Sequence, residues 1–249
     1  MVTIPRNHPR YSSLKTREKI SKAMKANIVH ETGLIAHGRG EAFDYLLGEK
    51  TVPQADLAAK VAAATLLCAK DPIISVNGNV VALSSEECIS LANSIPAKLE
   101  VNLFHRTKKR MEKIIKKLLN EGAKKVYGGK ADAKIPGLEH NRALCDREGI
   151  FISDVVLVPL EDGDRCQALR KMDKTIIAID LNPLSRTAQN ANITIVDNVI
   201  RAIPNIEKWV NKLRSIDKNE LKKLIAGFDN IQNLRQMATF ISKRLNSLY

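Results

Sequence analysis

The segment DLNPLSRTAQNANITIVDN, residues 180 to 198, sets Asp180, Asn182, Ser185, Arg186 and Thr187 directly behind the apolar run Thr175 to Ile179. An Asp-Asn pair recurs at Asp197 and Asn198, behind Ile193 to Val196. Asn182-Pro183 stops a strand, and a helix starting at Ser185-Arg186-Thr187 would turn free backbone N–H groups and its positive dipole end toward a phosphate. Arg186 could add a charge-assisted, bidentate contact. Asp180, ending the strand, is placed to accept from a ribose hydroxyl or to help hold a magnesium ion. The same residues also serve as plain punctuation, with Ser185 or Thr187 capping a helix and Asp180 capping a turn. The loop alone leaves both readings open.

A second dense cluster is GLIAHGRGEAFDYLLGEKT, in which Gly38 and Gly40 flank Arg39, with His37 and Glu41 beside it. Two glycines allow close backbone approach to a ligand while Arg39 reaches an anion; the plainer alternative is a turn between helices with a surface arginine. Arg17 lies on a basic amphipathic stretch, where an ordinary solvated cation is the commoner outcome. In PLEDGDR, Glu161, Asp162 and Asp164 share one short loop and suit either a hydrated magnesium ion or the cap of a following helix. His105 and His140 read as structural histidines.

Two familiar nucleotide motifs are missing. Gly128-Gly129-Lys130 is followed by Ala131 and has the wrong glycine spacing for a P-loop, and no GxGxxG follows a strand. Cysteines at 68, 88, 145 and 166 and histidines at 8, 30, 37, 105 and 140 are too scattered for a local metal cage. Free thiols and no structural metal are expected.

The chain has 249 residues, 44% of them apolar, and a formal charge of +13. That excess favours anionic partners without choosing among nucleic acid, membrane surface and phosphorylated small molecules. Most of it falls in the runs Lys15 to Lys25, Lys108 to Lys125 and Lys208 to Lys223, the pattern of solvated helix faces. Aromatic residues at 4% leave few stacking platforms for nucleic acid. No apolar stretch reaches membrane-spanning length, and MVTIPRNHPRYSSLKTREK lacks a signal-peptide core, so a cytoplasmic protein without membrane or nucleic-acid partners is expected.

The elements that must position these clusters alternate from about residue 72. Strands are predicted at Ile73 to Val76, Leu99 to Phe104, Lys125 to Tyr127, Asp154 to Pro159, Thr175 to Asp180 and Ile193 to Val196. Helices are predicted at Ser85 to Ile95, Thr107 to Glu121, Leu138 to Glu148, Arg165 to Lys171 and Val199 to Ser215. Such alternation is the signature of βα units, so the fold class is α/β with a doubly wound, mostly parallel sheet. Residues 1–71 read as helical: Tyr11 to Asn27, Ile35 to Leu47 interrupted at Gly38-Arg39-Gly40, and a buried Ala55 to Ala69. Residues 216–249 read as two helices broken near Gly227, forming a cap or an oligomer contact. One domain, 1–249, is expected, its βα core spanning 72–215 between helical N- and C-terminal extensions.

A polar cluster follows each predicted strand: Asn77 to Asn79, His105 to Thr107, Gly128 to Lys130, Leu160 to Arg165, the 180–187 loop, and Asp197-Asn198. Ligands of open parallel sheets bind at the carboxyl ends of the strands. Six polar loops converging there predict an extended polar site.

Taken together, IPRNHPRYSSLKTREKI, GLIAHGRGEAFDYLLGEKT, ISVNGNVVAL, EVNLFHRT, GLEHNR, DVVLVPLEDGDRCQALRKM and IDLNPLSRTAQNANITIVDNVIRAIPN closely resemble the archaeal phosphopantothenate synthetases, also called 4-phosphopantoate-beta-alanine ligases. The resemblance runs from Ile4 to about Asn205. It implies a Rossmann-like homodimeric ligase of coenzyme A biosynthesis that uses ATP and Mg2+ to join 4-phosphopantoate to beta-alanine. It also implies ATP contacts at Arg17, Arg39, Asp180, Leu181, Asn182, Arg186, Thr187, Asn198 and Val199. Arg39 and Arg186 are expected to act in catalysis, clamping phosphate with Arg17, while His105, Arg106 and Lys130 are candidates for the phosphate of the acid substrate. A nucleic-acid-binding protein and a small-molecule kinase are the competing readings; a kinase would release ADP where the ligase releases AMP.

Overall fold

The computed structural model of the chain describes residues 4–247. Three helices come first: α1 (Tyr11–Lys25), α2 (Glu31–Leu47) and α3 (Pro53–Cys68). Strands and helices then alternate through β1 (Pro72–Val76), α4 (Gly78–Ser94), β2 (Lys98–Val101), α5 (Lys108–Asn120) and β3 (Val126–Tyr127). A short ribbon of β4 (Ala133–Lys134) and β5 (Leu144–Cys145) precedes β6 (Val155–Pro159), α6 (Gly163–Arg170), β7 (Thr175–Ile179), α7 (Arg186–Asn190), β8 (Ile193–Ile195) and α8 (Val199–Leu213). Then come α9 (Lys218–Ala226) and α10 (Asn230–Asn246); the last residues of the expected tail, Leu248 and Tyr249, lie outside the described residues.

All six predicted strands form, and they pair in parallel in the order β3-β2-β1-β6-β7-β8. Sheet growth reverses between β1 and β6, which makes that pair the topological switch point. Side chains alternate between two cores, as a period of two requires. Ile74, Leu157 and Ile177 enter one core with residues of α3, α4 and α8. Ile73, Val156 and Ile176 enter the other with Cys166 and Leu169 of α6 and Cys145 of the ribbon. Burial on both faces explains why the strands read as unbroken apolar runs.

Three expectations fail. The helix predicted over Leu138 to Glu148 is absent; a 3-10 turn at Asn141–Ala143, β5, and a wide turn at Arg147–Phe151 stand there. The Glu100 carboxylate accepts from the Asp146 and Ile150 amides at 3.2 and 2.7 Å, so a side chain distant in sequence takes donors that a helix would use itself. Helix α4 begins at Gly78 rather than Ser85, because Asn77 Oδ1 caps it from Asn79 N and Val80 N, and it kinks at Ser84. Helix α2 runs unbroken through Gly38-Arg39-Gly40; Gly40 packs against Leu181, while Gly38 faces open space.

The tail acts as an edge cover. Asn230 Oδ1 accepts from Thr194 N, and its Nδ2 donates to the Ala188 and Ala191 carbonyls. Asn233 Nδ2 donates to Thr194 O, so the outer edge of β8 is satisfied by the first turn of α10.

Candidate active site at the carboxyl edge of the sheet

Five of the six strand ends line one cavity at the carboxyl edge of the sheet. Asn77 and Gly78 enter from β1, Leu103 to His105 from β2, Leu160 and Asp162 from β6, Leu181 from β7, and Asn198 and Val199 from β8. Helix α2 supplies the facing wall through His37, Gly40 and Glu41, with His30 at its cap. At the switch point Asn77 Nδ2 donates to the Leu160 carbonyl at 2.8 Å, stitching the β1 and β6 ends together. Asn79 Nδ2 donates to Gly33 O at 2.8 Å, and a side chain at Gly33 would overlap Asn79, so this glycine lets α2 settle onto α4.

Six of the nine residues expected to contact a nucleotide fall into three groups. Leu181, Asn198 and Val199 line the cavity directly. Arg17 is bound to the cavity residue Glu41 through Nε at 2.9 Å and Nη2 at 2.7 Å. Arg39 and Arg186 are exposed and, among the described residues, their guanidinium groups have no hydrogen-bond or ion-pair partner. The positive charge of Arg39 acts on Asp180, whose carboxyl is raised by burial and lowered in turn by Ser185, Asn182 and Arg39.

The 180–187 loop is tightly knit. Asp180 accepts from Ser185 Oγ and, at 2.9 Å, from Asn182 N, while Asn182 Oδ1 accepts from Leu184 N. Ser185 Oγ caps the five-residue α7 from Ala188 N, and the Thr187 hydroxyl donates to the Glu161 carbonyl at 2.8 Å. The corner reading is therefore fulfilled by the side chains of Asp180, Asn182, Ser185 and Thr187. Arg186 is the member of this loop that extends away unpaired.

The β6 loop does not gather its carboxylates at one point. Glu161 is buried between Arg142 and Arg165, and Asp164 pairs with His140 Nε2 at 2.7 Å. Only Asp162 faces the cavity, 3.3 Å from Arg142 Nε. No group of three His, Cys, Asp or Glu side chains suited to a metal ion occurs among the described residues. The β3 loop stays outside too: Lys130 is exposed away from the cavity, and Arg106 turns to the Gly128 carbonyl. Of the three candidates for a substrate phosphate, His105 alone lines the cavity.

Sequence reasoning missed Arg142 and Arg110, both buried cavity residues. Arg142 was hidden inside the misread helix. Burial pushes its guanidinium down to about 9, and Arg165 beside it shifts the same way. The buried Glu100 is pushed up to about 7 by desolvation, against the pull of two backbone amides and Arg165. At the cavity wall His37 is held below its ordinary value by burial, and its buried Nε2 has no partner among the described residues. His30 and His105 stack with centroids 3.6 Å apart.

A parallel sheet in this order, with a cleft over its switch point, defines a Rossmann-like α/β protein. A family model described as phosphopantothenate/pantothenate synthetase matches residues 54–244. The chain belongs to that family. It is 48% identical to the 4-phosphopantoate-beta-alanine ligase of Thermococcus kodakarensis over 249 residues, covering 100% of this chain and 95% of the relative. The ligase of the same name from Methanosarcina mazei is 48% identical over 248 residues, covering 100% and 98%, and that of Methanospirillum hungatei 48% over 242 residues, covering 97% and 98%.

Proposed function

We propose that this chain is an ATP-dependent ligase that condenses 4-phosphopantoate with beta-alanine, releasing AMP and diphosphate, in coenzyme A biosynthesis. The observation that carries the reading is the cavity itself, which joins Leu181, Asn198 and Val199 to the wall of α2 in a chain 48% identical along its length to ligases of that name. A carboxylate is a poor electrophile and needs activation. Its oxygen attacks the alpha phosphorus of ATP, the bond from that phosphorus to the bridging oxygen breaks, and diphosphate leaves with the electron pair. The beta-alanine nitrogen then attacks the acyl carbon of the adenylate, and AMP leaves as the amide forms.

Negative charge grows on phosphoryl oxygens in the first step and on a tetrahedral oxyanion in the second. Arg39 and Arg186, exposed and unpaired among the described residues, are the cations free to meet it. Arg17 acts with Glu41 as one unit, so its contribution is to shape the α1–α2 wall as much as to carry charge. His37, at the cavity wall with its buried Nε2 unpartnered among the described residues, is the imidazole placed to take the proton released by the amine. A magnesium ion would enter with the triphosphate, for which one or two carboxylates suffice; Asp162, facing the cavity, is the candidate ligand.

The test is product analysis with ATP, 4-phosphopantoate and beta-alanine. AMP and diphosphate formed only when both acid and amine are present support the ligase. ADP as product would replace it with a kinase. Light scattering in solution tests the homodimer that the family resemblance implies.

A further inference from the structure

We propose that Arg110, which lines the cavity, holds the phosphate end of the acid substrate. This rests on the ligase reading above. Arg110 is only 6% exposed, yet it lines the cavity. Its Nε and Nη2 donate to the Ile28 carbonyl at 3.1 and 2.7 Å, and its Nη1 donates to the His105 carbonyl at 2.8 Å. Every partner is a neutral carbonyl. A guanidinium has five N–H donors, so two remain for a ligand.

The contrast with the other buried arginines is direct. Arg142 and Arg165 are both paired with Glu161. Among the described residues no carboxylate reaches Arg110, and burial alone lowers its guanidinium. A buried charge without a counter-ion is costly unless a ligand supplies one.

Gly78, which opens α4, packs against Arg110. A β-carbon at Gly78 would lie 2.7 Å from Arg110 Nη2, so the missing side chain lets the guanidinium rest on the first turn of α4. The Asn79, Val80 and Val81 amides of that turn are already taken by Asn77, which leaves the guanidinium as the charged donor at this end of the cavity. His105, lowered by burial and then by His30 and Arg110, registers the same positive field.

The position selects the ligand. Arg110 faces the β1 and β2 ends, whereas Arg39 and Arg186 belong to the β7 side. A doubly charged phosphate monoester at Arg110 leaves the other end of the acid, its carboxylate, to meet the triphosphate across the switch point.

The experiment compares wild type, R110Q and R110K with 4-phosphopantoate and with unphosphorylated pantoate, reading KM for each acid and for ATP. R110Q keeps an amide donor for the Ile28 carbonyl but loses the charge, and is expected to raise KM for 4-phosphopantoate on the order of 100-fold. KM for ATP and for pantoate should stay within about threefold. R110K retains charge without the planar fork and should fall between, guarding against a variant that does not fold. Equal losses for both acids, or a loss confined to ATP, would overturn the assignment. The melting temperature with added 4-phosphopantoate separates the two readings. A rise in wild type that is absent in R110Q supports the anion site even where no turnover occurs, whereas turnover with an unchanged R110Q response removes Arg110 and leaves the ligase standing.

Discussion

Asp44 Oδ2 accepts a hydrogen bond from Asn198 Nδ2 at 2.8 Å, joining two residues 154 positions apart in the chain. Arg201 Nη2 reaches Asp44 Oδ1 at 2.5 Å and Asp197 Oδ1 at 2.6 Å, so α2 and the start of α8 share one charged knot. This knot fixes the distance between the α2 wall and the β8 loop. Asp44→Ala leaves the Asn198 amide and part of Arg201 without acceptors. It should cost about 3 kcal/mol in urea unfolding and raise KM for ATP, because the wall and the loop separate. An unchanged midpoint and KM would show that the two elements hold their spacing without it.

Arg39→Ala and Arg186→Ala should behave oppositely to Asp44→Ala. Both side chains are exposed and unpaired among the described residues, so stability should move by no more than about 0.5 kcal/mol. AMP formation dependent on 4-phosphopantoate and beta-alanine should fall by about 100-fold or more, as expected for a group that stabilises developing phosphoryl charge. Full activity in either variant would remove that residue from the mechanism.

Glu100 makes folding stability depend on pH. Its folded-state value, about 7, lies above that of an unfolded carboxyl, so the folded chain binds more protons between about pH 4.5 and 7. Its contribution is therefore fully present below about pH 4.5 and is lost as pH rises through about 7. Subtracting the unfolding curve of Glu100→Gln from that of wild type across this range should expose the slope. Parallel curves would show that Glu100 titrates normally.

Asn230→Ala removes three hydrogen bonds at the outer edge of the sheet and leaves the Thr194 amide without its acceptor. A loss of about 2 kcal/mol is expected. Because Ala188 and Ala191 flank the end of α7, the same change should loosen the Arg186 loop and raise KM for ATP more than KM for beta-alanine. Equal effects on both substrates would reduce Asn230 to a purely structural role.

The strands were legible because each is an apolar run ended by polar or turn-forming residues, and all six stand where those runs predict. The convergence of loops at the carboxyl edge followed from parallel βα topology, and five of the six loops meet in the cavity. Residues 138–148 were not legible, since their conformation is set by Glu100, some forty to fifty positions earlier, accepting their amides. Arg142 was concealed with them. The true start of α4 was readable in principle, for Asn77 is a strong capping residue immediately before it.

By itself the sequence determined the strands, the edge at which the polar loops gather, and the family. Those depend on periodicity and on contiguous blocks of residues, which survive without knowledge of any distant contact. Only the tertiary structure decided which polar groups were already satisfied. Glu161, Asp164 and Thr187 had the right chemistry for a site but are taken by Arg142, His140 and a backbone carbonyl, whereas Arg110, unremarked in the chain, emerges as a buried cation whose only partners among the described residues are neutral carbonyls. Whether a polar side chain is spent or available depends on partners brought close by folding, and those partners lie far away along the chain.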